Sequence, residues 1–276
     1  MRELKCELFH DNFQNYKRYG IPKAQLVIAD IPYNIGNNFY GSNPMWYNGG
    51  DNSNGESKLA GKAAFNSDFN FNIVEYFHFC NKLLKKEPTE KRERGTSSDA
   101  PCMIVFCSFQ QIPMLIETAE KYGFKHNIPL TFIKNYSAQV LKANMRVVGA
   151  TEHAILLYRD KLPKFRNDGQ MVFDWMWWAQ DGKNVPKIHP TQKPIAVLKR
   201  LIEIFTDPND VVIDPCAGSG STLRAAYELG RNAYGFEIST DFYKRAKNEM
   251  LNISEIQTTL FQPPAWDDIK MAGFAN

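Results

Sequence analysis

The feature that most constrains the fold of this chain is an apolar run that breaks into a loop of small residues and then continues with helical spacing. Residues 211–213 form the run, residues 214–220 form the loop, and the helical pattern begins at Ser221. A buried parallel strand would deliver Asp214 to its carboxyl end, where the N-terminus of the next helix also lies. This is the layout of a nucleotide-cofactor turn in an α/β fold.

A second apolar run, residues 233–236, ends in an acid, Glu237. An acid at the end of the strand after such a turn can accept both hydroxyls of a ribose. The loop has Gly218 and Gly220, but Leu223 stands where a dinucleotide fingerprint has its third glycine. Because Asp214 would also repel a pyrophosphate, these residues argue against NAD.

Another acid follows a strand signal far upstream. Residues 26–29 are continuously apolar, which is typical of a buried parallel strand, and Asp30-Ile31-Pro32-Tyr33 comes directly after them. In isolation this tetrapeptide indicates only a turn that ends a strand. Its combination with the downstream loop is much rarer than either signal alone.

Composition limits the class of protein. A chain of 276 residues with 43% apolar residues can fold as one large α/β domain, and a net charge of +3 permits a polyanionic partner without requiring one. The five cysteines form no CxxC pair, which favours reduced thiols. The chain shows no signal peptide and no apolar run of membrane-spanning length, so we expect a soluble cytoplasmic protein.

Two segments depart from the strand-helix rhythm. Residues 34–66 are crowded with Asn, Gly and Ser and are expected to form a lid. Residues 159–187 interleave basic and aromatic side chains, which favours a recognition insert that contacts nucleic acid; a small satellite core is the alternative. The candidate contacts are Lys164, Arg166, Trp175, Trp177 and Trp178.

These motifs, in this order, resemble those of the β class of amino-methylating DNA methyltransferases, which modify adenine N6 or cytosine N4. The Asp30-Ile31-Pro32-Tyr33 motif resembles the catalytic Asp-Pro-Pro-Tyr of that family, and residues 189–194, His-Pro-Thr-Gln-Lys-Pro, resemble its motif before the cofactor strand. Residues 214–222 resemble its cofactor loop. The motif order is circularly permuted, and the resemblance covers nearly the whole chain.

The resemblance implies an α/β, Rossmann-like methyltransferase fold with a mostly parallel seven-stranded sheet and helices on both faces. Residues 1–158 would form the catalytic half, residues 159–187 a target-recognition insert, residues 188–255 the cofactor-binding half of the same domain, and residues 256–276 a tail. DNA would be the partner. A homodimer and a restriction endonuclease partner stay open.

The resemblance also implies S-adenosylmethionine as the cofactor and requires no metal. Glu237 would hold the ribose hydroxyls, Asp214 would lie near the methionine ammonium, and Lys193 with its two preceding residues would reach the methionine carboxylate. The full set of expected cofactor-binding residues is Asp11, Thr191, Gln192, Lys193, Asp214, Pro215, Cys216, Ala217, Gly218, Ser219, Gly220, Thr222, Glu237 and Ile238.

Catalysis in this family requires an exocyclic amine whose lone pair is localised towards the methyl group. The Asp30 carboxylate and the Ile31 carbonyl would accept the two amine protons. Ile31 replaces the first proline of the motif, which is tolerable because a backbone carbonyl is what the role needs. Pro32 would fix the turn, and Tyr33 would stack on a base swung out of the helix.

Asp30 favours adenine, since N4-cytosine enzymes of this family commonly begin the motif with Ser. Less favoured alternatives are an RNA or protein-glutamine methyltransferase and a catalytically silent DNA-binding module. Pro215-Cys216 resembles the nucleophile pair of cytosine C5 enzymes, but Cys216 lies within the cofactor loop. A small buried thiol is therefore the better interpretation.

Overall fold

The computed structural model describes residues 4–33, 71–89, 99–135, 139–142, 147–189 and 191–252. The expected lid, residues 34–66, and the tail, residues 256–276, lie outside this part of the chain. The strands are β1 (Cys6–Phe9), β2 (Leu26–Asp30), β3 (Cys102–Cys107), β4 (His126–Ile133), β5 (Gln139–Lys142), β6 (Val147–Gly149), β7 (Thr151–Tyr158), β8 (Trp175–Trp177), β9 (Val211–Asp214) and β10 (Asn232–Phe236). The α-helices are α1 (Ile73–Leu83), α2 (Ile112–Lys121), α3 (Ile195–Phe205), α4 (Ser221–Glu228) and α5 (Thr240–Arg245), and α5 continues as a π-helical turn, Ala246–Met250. Phe13–Arg18 and Phe109–Gln111 are 3-10 helices.

Eight of these strands form one sheet in the order β1-β10-β9-β2-β3-β7-β4-β8, and β5 pairs with β6 separately. Within the large sheet β7 alone runs antiparallel to its neighbours. The pairing of Val27 with Ile213 sets β2 beside β9. The carboxyl ends of two strands distant in sequence therefore meet at one edge of the sheet, which confirms the predicted mostly parallel architecture.

The prediction of seven strands is wrong by one. Residues 175–177, which we expected in a recognition insert, pair in parallel with β4 through Thr131 and Trp175, and Thr131 also donates its backbone N–H to the Asp174 carbonyl at 2.8 Å. A stretch of only three residues, Trp-Met-Trp, gave no clear strand signal. The segment extends the sheet at its edge.

Helices cover both faces of the sheet, as predicted. Leu26 and Ile28 of β2 belong to the core that includes α3 and α4, whereas Val27 and Ala29 belong to the core on the opposite face with α1 and α2. This division follows from the alternation of side chains along a strand. Both faces of β2 are apolar because both are covered.

Among the helices of the described residues, none is both long and apolar enough to cross a bilayer.

Lys164 and Arg166 lie in a cluster of ion pairs with the turn before β9. Lys164 Nζ lies 2.7 Å from Asp207 Oδ2 and 2.8 Å from Asp210 Oδ2, and Arg166 Nε lies 2.8 Å from Asp207 Oδ1. The Lys164 side chain is only 7% exposed. Its ammonium joins residues 159–187 to the turn before β9, a buried placement that does not favour the expected contact of Lys164 with DNA.

Replacing Lys164 with Met should lower the free energy of unfolding by about 2–4 kcal/mol, because it leaves neighbouring carboxylates without their buried cation. Urea denaturation followed by circular dichroism measures the change. Lys125→Met is the matched control: the ion pair of Lys125 with Asp160 is exposed and should contribute little to stability. Unchanged stability with weakened DNA binding in Lys164→Met would restore the recognition role.

Candidate functional site

The loop between β9 and α4 has the backbone shape that the sequence predicts for a cofactor turn. Gly218 (φ 51°) and Gly220 (φ 77°) both adopt left-handed conformations, and Gly220 is the N-cap of α4. Side chains other than glycine rarely adopt these angles. The Ser219 hydroxyl donates to the Ser221 hydroxyl at 3.3 Å. The turn thus directs the first backbone N–H groups of α4 towards the carboxyl end of β9.

Close packing between β10 and α4 explains why the third glycine of a dinucleotide fingerprint is absent here. A Cβ atom on Gly235 would lie 2.7 Å from Leu223 Cδ1 and 3.0 Å from Ala217 Cβ. The glycine that permits close approach is thus on the strand, and Leu223 fills the space from the helix side. The loop keeps its shape without Gly at position 223.

Two buried carboxylates, Asp214 and Glu237, end the neighbouring strands β9 and β10. Asp214 Oδ1 accepts a hydrogen bond from Cys216 N at 2.9 Å, and Glu237 accepts from Gly218 N at 2.9 Å and Ser239 N at 2.6 Å. Burial raises the pKa of each carboxyl to about 7. Such a pair fits a ligand that brings hydroxyl and ammonium donors, as the cofactor expected from the sequence does.

The remaining loop residues surround these acids. The Thr222 hydroxyl bonds to Asp214 and moderates the rise in its pKa. Burial raises the pKa of the Cys216 thiol well above its usual range, so the thiol stays protonated and is not an activated nucleophile. Pro215 and Ala217 are buried, whereas Ile238 is 47% exposed directly after Glu237.

Asp30 ends β2 and forms an ion pair with Lys193. Lys193 Nζ donates to Asp30 Oδ2 at 2.5 Å, whereas Asp30 Oδ1 is buried and accepts no hydrogen bond within the described parts of the chain. Burial raises the pKa of Asp30, whereas the Lys193 charge and hydrogen bonds from Lys193 and Tyr33 to the carboxylate oppose that rise. Lys193 Nζ also lies 5.5 Å from the ring centroid of Phe106 and 5.7 Å from that of Tyr33. A buried acceptor without a donor is costly, so Asp30 Oδ1 is poised for a donor from a ligand.

Glu152 and Lys134 extend this charged cluster, and the sequence analysis missed both. Tyr33 Oη donates to Glu152 Oε2 at 3.1 Å, and Lys134 Nζ pairs with Glu152 Oε1. Although its own burial raises the pKa of Glu152, the Lys193 and Lys134 charges lower it overall. The sequence signal for these two residues is weak. Glu152 is an acid near the start of an apolar strand, and Lys134 directly follows another strand.

Gln111 holds the catalytic turn and was also missed. Its Nε2 donates to the Pro32 carbonyl at 2.9 Å, while its Oε1 accepts from Ser108 N at 3.0 Å. Ile31 N donates to the Phe106 carbonyl at 3.2 Å. The spacing of Ser108 and Gln111, which forms a capping box, is the signal that could have identified this contact.

The motif before α3 is placed differently from the expectation. Thr191 Oγ1 lies 2.9 Å from His189 Nδ1, and the Gln192 amide bonds to Ile188 N at 3.1 Å and to the Pro186 carbonyl at 3.0 Å. These side chains hold their own loop. Lys193 extends to the end of β2, where it pairs with Asp30, and its expected contact with the cofactor stays a prediction. Pro190 lies outside the described residues.

Asp11 forms its side-chain contacts within its own segment of the chain. Its carboxylate accepts from Asn15 Nδ2 and Tyr19 Oη, each at 2.7 Å, and lies 3.5 Å from Arg18 Nη1. It ties the 3-10 helix after β1 to that strand. The expectation that Asp11 lies near the cofactor adenine stays a prediction.

The aromatic residues of the insert divide into two groups. Trp178 is only 7% exposed, its ring centroid lies 6.0 Å from that of Phe132, and Lys134 Nζ lies 4.9 Å from it. Trp178 therefore belongs to the main core that includes α3 and α4, a buried placement that does not favour the expected DNA contact. Trp175 and Trp177 are 38% and 56% exposed and meet edge to face at 5.8 Å.

A family model described as DNA methylase, for N6 and N4 methyltransferases, matches residues 24–248. The chain belongs to this DNA methylase family. Its geometry agrees with that assignment, because the catalytic motif and the cofactor loop meet at one edge of the sheet. Among curated relatives, DNA adenine methyltransferase YhdJ of Escherichia coli (strain K12) is 27% identical over 260 residues, which cover 88% of this chain and 81% of YhdJ.

Solved structures share the fold of this DNA methylase. The crystal structure of the M1.HpyAVI–SAM complex superposes with a TM-score of 0.60 at 23% identity, covering 89% of this chain and 98% of that one. The cytosine-N4-specific PvuII DNA methyltransferase gives 0.59 at 15% identity, covering 92% and 91%. The Rossmann-like architecture inferred from the motifs is therefore confirmed.

The raised pKa values of Asp214 and Glu237 predict a pH dependence for S-adenosylmethionine binding. If binding requires the ionised forms, protons leave as the cofactor binds, so affinity should rise with pH through about 7. We expect Kd to increase about tenfold or more between pH 7.5 and pH 5.5. Isothermal titration calorimetry in buffers of different ionisation enthalpy measures both Kd and proton release. A constant Kd without proton release would contradict the assignment of both acids.

Proposed function

We propose that this DNA methylase transfers a methyl group from S-adenosylmethionine to the N6 amine of an adenine in DNA. The observation that carries the proposal is the buried Asp30 Oδ1, which has no hydrogen-bond partner among the described residues and ends a strand that pairs directly with the strand leading to Asp214. Family membership supports methyl transfer to an exocyclic amine. Asp30 as the first motif residue and the likeness to YhdJ favour adenine.

S-adenosylmethionine supplies a methyl group activated by its sulfonium. Glu237 would accept hydrogen bonds from the ribose hydroxyls, and Asp214 would face the methionine ammonium. Ile238, the exposed apolar residue after Glu237, would lie against the adenine ring. The backbone N–H groups at the start of α4 would complete the site, since they point to the same edge of the sheet.

The reacting amine is a poor nucleophile, because its lone pair is delocalised into the base. Asp30 Oδ1 and the Ile31 carbonyl would accept its two protons and direct the lone pair at the methyl carbon. The Pro32 carbonyl already accepts from Gln111, which is consistent with the choice of Ile31. As the N–C bond forms and the C–S bond breaks, one amine proton passes to Asp30 Oδ1 and then to water.

Lys193 would remain on Asp30 Oδ2 during the reaction. Burial raises the pKa of Asp30, and the Lys193 charge opposes that rise, so the ion pair favours the carboxylate form that accepts hydrogen bonds. With one oxygen fixed by Lys193, the other has a defined direction. This assigns Lys193 to orienting the catalytic acid in place of binding the methionine carboxylate.

The target base would stack on Tyr33 after leaving the duplex, because the amine of a paired base is hidden. Trp175 and Trp177 are the insert residues whose exposure suits contact with DNA. Arg166 is partly exposed but committed to Asp207. A homodimer or a restriction endonuclease partner is compatible with this arrangement and contributes to no step of it.

N4-cytosine methylation is the second candidate, since cytosine also presents an exocyclic amine and the PvuII fold neighbour is cytosine-specific. The same two acceptors would serve either base. The choice depends on the shape of the pocket around the ring. Digesting methylated DNA and identifying the modified nucleoside distinguishes the two.

Asp30→Asn should reduce transfer of a labelled methyl group to unmethylated plasmid DNA by at least about 100-fold, because the amide cannot replace the carboxylate acceptor. The Kd of S-adenosylmethionine should stay within about twofold, since Asp30 acts on the amine. Asp160→Asn, at an exposed ion pair, is the control and should be fully active.

The wild-type product of that assay should be N6-methyladenine. N4-methylcytosine would assign the second candidate, and methylated RNA or protein with no methylated DNA would overturn the proposal. Full activity in Asp30→Asn would instead refute the role of Asp30 while leaving the substrate identified.

A further inference from the structure

Four side chains of alternating charge line the catalytic edge of the sheet, in the order Asp30, Lys193, Glu152 and Lys134. Their side chains are 29%, 6%, 20% and 6% exposed, respectively. Asp30 and Lys193 belong to the motifs already discussed, whereas Glu152 and Lys134 belong to none of them. Glu152 contacts Tyr33 of the catalytic motif through a hydrogen bond.

The sheet topology accounts for the position of Glu152. Because β7 runs antiparallel to β3 and β4, its N-terminal end lies where the parallel strands have their carboxyl ends. Glu152, the second residue of β7, is paired with Phe132 of β4 and is thereby delivered to the edge that carries Asp30. A reversed strand in a parallel sheet thus contributes a further acid to this edge, beside Asp30, Asp214 and Glu237.

Both carboxylate oxygens of Glu152 are occupied: Oε2 accepts from Tyr33 Oη at 3.1 Å, and Oε1 pairs with Lys134 Nζ. The Glu152 charge also acts on Lys193, although burial opposes the protonated form of that lysine; together with Asp30 it raises the pKa of Lys193. Each oxygen of Glu152 is therefore held by a neighbouring side chain, and one of these, Tyr33, belongs to the catalytic motif.

Trp178 connects the two lysines. Its ring lies 4.9 Å from Lys134 Nζ and 5.9 Å from Lys193 Nζ. Apolar replacements for buried ion pairs are often as stable or more stable, so stability alone gives little reason for two lysines around one glutamate. Orientation of the reactive groups is the better reason, since small displacements of such groups are costly for the rate.

We propose that Glu152 is a positioning residue that fixes the Tyr33 ring against the target base and keeps Lys193 on Asp30 Oδ2. This inference rests on the proposed methyl transfer to a flipped base. The competing role is simple neutralisation of Lys134, which would leave the reaction indifferent to Glu152 once Lys134 is also removed. The two roles predict different behaviour of a double variant.

The test begins with the single-turnover rate of methyl transfer by the full chain at saturating S-adenosylmethionine. Glu152→Gln should lower the rate about 10- to 100-fold, as loss of hydrogen bonds to a charged group does, with the cofactor Kd unchanged. Glu152→Gln/Lys134→Met should remain impaired. Recovery of the wild-type rate in this double variant would overturn the proposal in favour of neutralisation.

Glu228→Gln is the matched control, because Glu228 is also a buried carboxylate with two cations, Arg224 and Lys199, but lies at the far end of α4. It should alter stability and leave the rate at saturating cofactor unchanged. A loss of rate in Glu228→Gln equal to that in Glu152→Gln would show that any buried charge deletion has this effect, and would contradict the proposal.

Tyr33→Phe removes the hydroxyl that donates to Glu152 and keeps the ring. If Glu152 acts through Tyr33, the losses in Tyr33→Phe and Glu152→Gln should overlap, so that the double variant is little slower than the slower single variant. A merely structural role of Glu152 would give multiplied losses. Multiplied losses would therefore contradict the coupling.

A measurement without DNA separates this inference from the proposed function. In protein labelled with carbon-13 tyrosine, the Tyr33 ring signal, assigned by its loss in Tyr33→Phe, should shift and broaden in Glu152→Gln and should not in Glu228→Gln. If the wild type transfers no methyl group to DNA, the proposed function fails, and this signal alone decides the positioning role. An unchanged Tyr33 signal in Glu152→Gln would overturn it.

Discussion

The ion pair between Asp30 and Lys193 is the interaction on which the site depends, because it joins halves of the domain whose contributing residues lie 163 positions apart. Pairing of β2 with β9 brings the strand ends together, and the ion pair then fixes one oxygen of Asp30, the proposed catalytic acid. The other oxygen is buried and has no hydrogen-bond donor within the described part of the chain. Lys193 therefore holds the Asp30 carboxylate by one oxygen, and this contact also sets the direction of the other oxygen.

The acids at this edge of the sheet differ in the direction in which their surroundings shift the pKa. Burial raises the pKa of Asp214 and Glu237 to about 7, so a ligand can change their protonation. Glu152 instead has its pKa lowered by two lysines despite burial. At the cofactor loop a ligand can therefore change the protonation of both acids. Beside Asp30, internal ion pairs already favour the charged form of Glu152.

The sequence predicted the elements that local pattern encodes. Continuous apolar runs located β2 and β9, and the acids after them located Asp30 and Asp214, because the carboxyl ends of parallel strands share one edge. It did not predict the partner of Lys193 or the role of Glu152, since these contacts depend on strand order and on the reversal of β7. Lys164 and Trp178 were misassigned because composition does not distinguish a buried lysine or tryptophan from an exposed one.

The measurement that tests this account most directly is cofactor affinity set against transfer rate in Lys193→Met, with Lys193→Arg as the variant that keeps the charge. If Lys193 orients Asp30, Lys193→Met should bind S-adenosylmethionine with a Kd within about twofold of wild type and transfer methyl groups at least about tenfold more slowly. Lys193→Arg should retain more of the rate. A large rise in Kd together with a normal rate at saturating cofactor would show that Lys193 binds the methionine carboxylate, and would contradict the account.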